Sequence, residues 1–69
     1  MYADVRHEAI ASRENVGHML REIQDLALQI RTDIAIDTKP DVLLSETHRI
    51  SNLIGLINTQ IRGYGRHWL

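Results

Sequence analysis

The stretch Val16-Gly17-His18-Met19-Leu20-Arg21-Glu22-Ile23-Gln24-Asp25-Leu26-Ala27-Leu28-Gln29-Ile30 decides the fold. Val16, Met19, Ile23, Leu26 and Ile30 step through it by 3, 4, 3 and 4, with charged and amide side chains between them. Apolar residues at that spacing fall on one stripe of an α-helix, whereas a strand would alternate. The stripe extends back through Ser12, Ala9 and Val5 with the same alternation, which makes it a heptad seam. Ala27 and Ile34 stand beside it, where a helix of 3.6 residues per turn drifts away from a strict heptad. Asp33 also falls on the seam, and drift is expected to hand its place to Ile34. The seam is small at Ala9 and Ser12 and bulky from Val16 onward, so firm packing is expected to begin near Val16. Asp4 suits an N-cap, because its carboxylate accepts a free N–H of the first turn.

Pro40, the only proline, divides the chain. Beyond it Leu43, Thr47, Ile50, Ile54, Ile57, Ile61 and Tyr64 step by 4, 3, 4, 3, 4 and 3, a second seam. Thr38 as N-cap places Pro40 in the first turn, where its missing N–H is harmless, and puts Asp41 in the capping-box position. Gly63 is well placed for a left-handed C-cap, so this helix is expected to stop before Trp68. The spacing predicts one domain: helix 4–36, turn 37–39, helix 40–62 and tail 63–69. A short link makes the two helices antiparallel neighbours, an all-α hairpin. At about 1.5 Å per residue the first helix is roughly 45 Å long and the second roughly 35 Å, so the first overhangs.

A domain of 69 residues is marginal without help, and the chain has no cysteine to form disulfides or thiolate metal sites. Apolar residues also outnumber the two seams: Ile10, Leu20, Leu28, Ile36, Leu44, Leu53 and Leu56 all lie off them. Burying each Leu or Ile contributes about 1.5–3 kcal/mol. A homodimer, two hairpins making a four-helix bundle, is the simplest remedy. Its core would comprise Val16, Met19, Ile23, Leu26 and Ile30 with Leu43, Ile50, Ile54, Ile57 and Ile61.

The charges nearly cancel, with eight Lys+Arg against nine Asp+Glu, which argues against a general nucleic-acid binder. Seven of the eight basic residues are arginine, the cation best suited to interfaces. No apolar run is long enough for a membrane span, and the first residues lack a signal-peptide layout. A cytoplasmic protein is expected. His7, His18, His48 and His67 include no pair at i, i+4, and the scattered carboxylates have no evident pocket, so neither a metal nor another cofactor is expected. Ser12, Ser45, Ser51 and Thr47 have no nucleophile elbow around them. The chain reads as a binding protein and not an enzyme. Thr47 in the seam either fixes register or satisfies itself on a carbonyl one turn back. Arg21 with Asp25, and Glu14 with His18, are ordinary surface pairs at i, i+4.

The segment Arg62-Gly63-Tyr64-Gly65-Arg66-His67-Trp68 has a different character. Its aromatics can fold back over the end of the core. Alternatively Arg62, Tyr64, Arg66, His67 and Trp68, with Leu28 and Ile36, supply a protein contact. Arginine interleaved with aromatics can also grip single-stranded nucleic acid, so a nucleic-acid-binding helical dimer is the alternative reading.

In size, hairpin layout and texture, as in Met19-Leu20-Arg21-Glu22-Ile23 and the end Arg66-His67-Trp68-Leu69, the chain resembles the small early inhibitor proteins of temperate Pseudomonas phages that act as quorum-sensing anti-activators. The resemblance implies a compact helical dimer. It also implies binding to a host LuxR-type transcriptional activator, which silences quorum sensing. Binding to the type IV pilus assembly ATPase, which blocks infection by other phages, is implied too. The likeness has no diagnostic motif, so no functional residue is carried over.

Overall fold

A computed structural model describes residues 5–68. The expected N-cap Asp4, the seam place of the Val5 side chain, Tyr2 and Leu69 lie outside the described residues. Helix α1 runs Val5–Ala35, helix α2 runs Pro40–Tyr64, and a 3₁₀ turn, Gly65–His67, follows without a break. The two helices form an antiparallel hairpin 55 Å long and about 15 to 17 Å across. Helix α1 is continuous through Ser12–Gly17.

The turn is a helix C-terminal motif rather than a loose link. Thr38 N–H bonds Asp33 O at 2.9 Å, and Asp37 N–H bonds Ile34 O at 3.3 Å. Asp37 between them is left-handed, with φ 56°. That is the Schellman pattern with aspartate where glycine is usual, a residue that tolerates this conformation better than most. The N-cap of α2 is Lys39, with no side-chain cap bond. Thr38 therefore does not cap α2, and Asp41 forms no capping box. Thr38 is already committed, through its N–H, to closing α1.

The α1 seam faces inward from Ala9 to Asp33: Ala9, Ser12, Val16, Met19, Ile23, Leu26, Ile30 and Asp33 are all buried or half-buried. Two expectations change here. Asp33 keeps its seam place, and Ile34 is exposed. Packing is also tight well before Val16, since Ala9 is 1% exposed. The overhang of α1 is covered by the 3₁₀ turn, which packs against it, and the Arg13 guanidinium donates to the Trp68 carbonyl at 3.3 Å. Small residues at Ala9 and Ser12 leave room for that cover.

The α2 seam differs from the expected one by half. Leu43, Ile50, Ile57 and Tyr64 face inward as expected, but the other inward row is Glu46, Leu53 and Gln60. Leu53 is 2% exposed, whereas Ile54 is 47% and Ile61 46% exposed. Both rows are one turn from the shared residues; the observed one brings Glu46 opposite Asp33, so that polar meets polar. Thr47 is exposed and donates to Leu44 O at 2.8 Å, so it satisfies itself three residues back. Gly63 is no C-cap: α2 continues through it, and none of the described glycines has a positive φ. Among the described residues no large side chain is fully buried.

Candidate interaction surfaces

The two flanks of the hairpin are chemically different, and one bond identifies which residues share a flank. Arg49 Nη2 lies 3.1 Å from both carboxylate oxygens of Glu22. Glu22 immediately precedes inward Ile23, and Arg49 immediately precedes inward Ile50. In an antiparallel pair the two helices are related by a two-fold axis, so residues that precede these positions share one side. Residues that follow the other inward row then share the opposite side. On α1 these are Arg13, Leu20, Ala27 and Ile34; on α2 they are Thr47, Ile54 and Ile61.

All seven are exposed. Five are aliphatic, Thr47 turns its hydroxyl to its own backbone, and Arg13, near the tail end, donates to the Trp68 carbonyl. The flank is thus mainly aliphatic between Arg13 and the turn. The ion-pair flank carries Glu22, Gln29 and Arg49, with Val42 and Leu56 standing apart on either side of Arg49. Arg21 and Asp25, expected partners on α1, are both exposed and form no ion pair, and neither do Glu14 and His18.

The remaining sequence candidates are dispersed. Leu28 is 61% exposed on the back of α1, and Ile36 is 68% exposed at the turn. Helix periodicity puts Leu28 opposite the inward stripe, away from both flanks. Arg62, Arg66 and His67 are exposed, while Tyr64 and Trp68 are half-buried against the end of the bundle. The Trp68 indole N–H is shielded and has no acceptor, and the nearby Ser12 hydroxyl is shielded without a partner. Ala9, Ile10, Arg13, Glu14, His67 and Trp68 line a shallow cleft of about 350 Å³ at this end. It mixes apolar floor and charged rim, and offers no nucleophile paired with a base. Because both tail aromatics lean on the hairpin, their faces are less open to stacking nucleobases.

At the turn end sits a pair that the sequence showed only by half. Asp33 is nine-tenths buried, and its Oδ1 accepts from the Gln29 amide at 3.0 Å. Both Glu46 oxygens are shielded and receive no bond from any protein donor. The hydrogen bond that a protonated Glu46 makes with Asp33, then burial, then the charge on Asp33 push the Glu46 carboxyl above its ordinary value of 4.5. Asp33 was noticeable in the sequence; Glu46 was not, because nothing local says which row of α2 turns inward.

Among the described residues no group of three or more His, Cys, Asp or Glu could hold a metal ion, and no helix is long and apolar enough to cross a membrane. Comparison with protein families, with characterised proteins and with solved structures returns no match for this chain.

Proposed function

We propose that the chain is a small protein-binding module, not an enzyme, that works as a homodimer and inhibits larger proteins by occupying their surfaces. The observation that carries this reading is the exposed aliphatic set Leu20, Ala27, Ile34, Ile54 and Ile61, gathered on the flank opposite the ion pair. An apolar flank favours a closed, two-fold pairing, because the same set on a second copy is its complement. Area supports it. The chain exposes 5774 Å², whereas a compact monomer of its mass exposes about 4,400 Å². The excess, roughly 1,400 Å², is more than the ~800 Å² per partner of a standard stable interface.

Once that set is covered, Leu28, Ile36 and the exposed arginines of the tail remain for a different protein. The resemblance to phage anti-activators supplies the candidate targets, a LuxR-type activator and the type IV pilus assembly ATPase. It also places the protein in the host cytoplasm. Two measurements test the reading. Sedimentation at micromolar concentration should give twice the chain mass; a fully helical monomer removes the dimer. Titration into a purified LuxR-type activator and into the pilus ATPase should give saturable binding and loss of DNA binding or ATP hydrolysis. No binding to either at physiological salt removes the inhibitor reading for those targets.

A further inference from the structure

We propose that Asp33 and Glu46 share one proton across the helix seam and form a pH-sensitive latch at the closed end of the hairpin. Both residues occupy inward rows, one on each helix. One Asp33 oxygen is satisfied by Gln29. The Glu46 oxygens are shielded and have no donor. Shielded carboxylate oxygens without a hydrogen bond are costly, and two facing carboxylates that are both ionised repel each other where water screens them poorly. One proton removes both penalties: Glu46 O–H donates to Asp33, a short charge-assisted bond.

Among the described residues no cation pairs with Glu46. Helix α1 is the element packed against Glu46 at this end, and Asp33 is the titratable group on its inward stripe here. On α2 the nearest cation, Arg49, is engaged with Glu22. Lys39 is exposed at the turn and forms no ion pair. The 3₁₀ turn lies at the opposite end.

The latch is mechanically coupled to the turn. The backbone carbonyl of Asp33 accepts the Thr38 N–H that closes the Schellman motif. Pushing the Asp33 side chain away from α2 therefore pulls on the bond that ends α1.

The sign follows from which state keeps the proton. Glu46 has a raised value in the folded chain, so the folded chain holds a proton that the unfolded chain has released. The latch contributes fully below the ordinary glutamate value and fades as pH rises through the folded one. The hairpin is thus tighter in mild acid than at neutral or alkaline pH, as far as this pair is concerned.

The test uses the intact chain and Glu46→Gln. Glutamine has the same shape, carries no charge and donates an N–H to Asp33 at every pH. Thermal midpoints by circular dichroism between pH 4.5 and pH 8 should fall for the wild type. For Glu46→Gln they should be flatter, and several degrees higher at pH 8. A variant with the wild-type slope, or a lower midpoint at pH 8, overturns the latch. Carboxyl carbon NMR of the wild type decides the matter even if the variant misfolds. Glu46 titrating clearly above 4.5 supports the shared proton, and titration at or below it overturns the proposal.

Discussion

The two flanks of this hairpin have the same backbone geometry and opposite chemistry. One is bridged by Glu22 and Arg49, both still about half exposed. The other presents Leu20, Ile34, Ile54 and Ile61 to solvent. The ion pair contributes at most about 1 kcal/mol to folding, as exposed pairs do. In the proposed dimer its larger effect would be exclusion, because docking on that side would desolvate a charged bridge. The aliphatic side chains of the other flank contribute little to the hairpin itself, since they stay exposed in it. The flanks therefore differ less in how they fold the chain than in the surface they present.

The comparison can be broken most severely from the aliphatic side. Ile54→Asp with Ile61→Asp should weaken self-association by 100-fold or more, since each buried Ile contributes about 1.5–3 kcal/mol and a two-fold dimer holds two copies of each. Sedimentation equilibrium reads this directly, and an unchanged dimer would show that this flank is not the contact. Leu53→Ala, which touches neither flank, is the control for plain loss of core. It should destabilise the chain by about 2–5 kcal/mol in denaturant titrations. A loss well under 1 kcal/mol would mean that Leu53 is not between the helices. Glu22→Leu with Arg49→Leu makes both flanks aliphatic; the expected result is assemblies larger than a dimer in light scattering. A clean dimer there would show that exclusion by charge is unnecessary. Ser12→Ala removes a shielded hydroxyl without a partner and adds a better helix former, so it should stabilise by about 1 kcal/mol. Arg49→Ala should have the smallest effect, under about 1 kcal/mol, with assembly unchanged.

Much of this arrangement was legible in the sequence, and the failures have a common cause. The α1 seam was readable because Val16 to Ile30 offers a single apolar row at helical spacing. Helix α2 offers two. Leu43, Ile50, Ile57 and Tyr64 belong to both, and the row of Ile54 and Ile61 is more apolar than the row of Glu46, Leu53 and Gln60. Apolarity picked the former; the hairpin buries the latter. Periodicity measures which residues avoid water, not which contact removes them from it, and a helix with two apolar faces leaves that choice open. Ala9 and Ser12 misled for a related reason. Small side chains look like weak packing until the chain end returns: Trp68, 59 residues beyond Ala9, lines the same cleft. Gly63 looked like a stop signal. A glycine inside a helix costs about 1 kcal/mol relative to alanine, and the packing of Tyr64 and Trp68 offsets that here. Asp33 stood out, but its meaning depended on Glu46 and so on the register of the other helix.

The absence of any fully buried large side chain among the described residues has a consequence for abundance. A hairpin this thin has few amides far from solvent, so its amides should exchange quickly and limited proteolysis should cut it readily when it is unbound. Whatever binds the closed form lowers the open fraction by mass action, by about 2.7 kcal/mol at a hundredfold excess over Kd. If the proposed second copy or target binds the closed form, bound chains should outlast unbound ones, and a pulse-chase with and without that partner should show the difference.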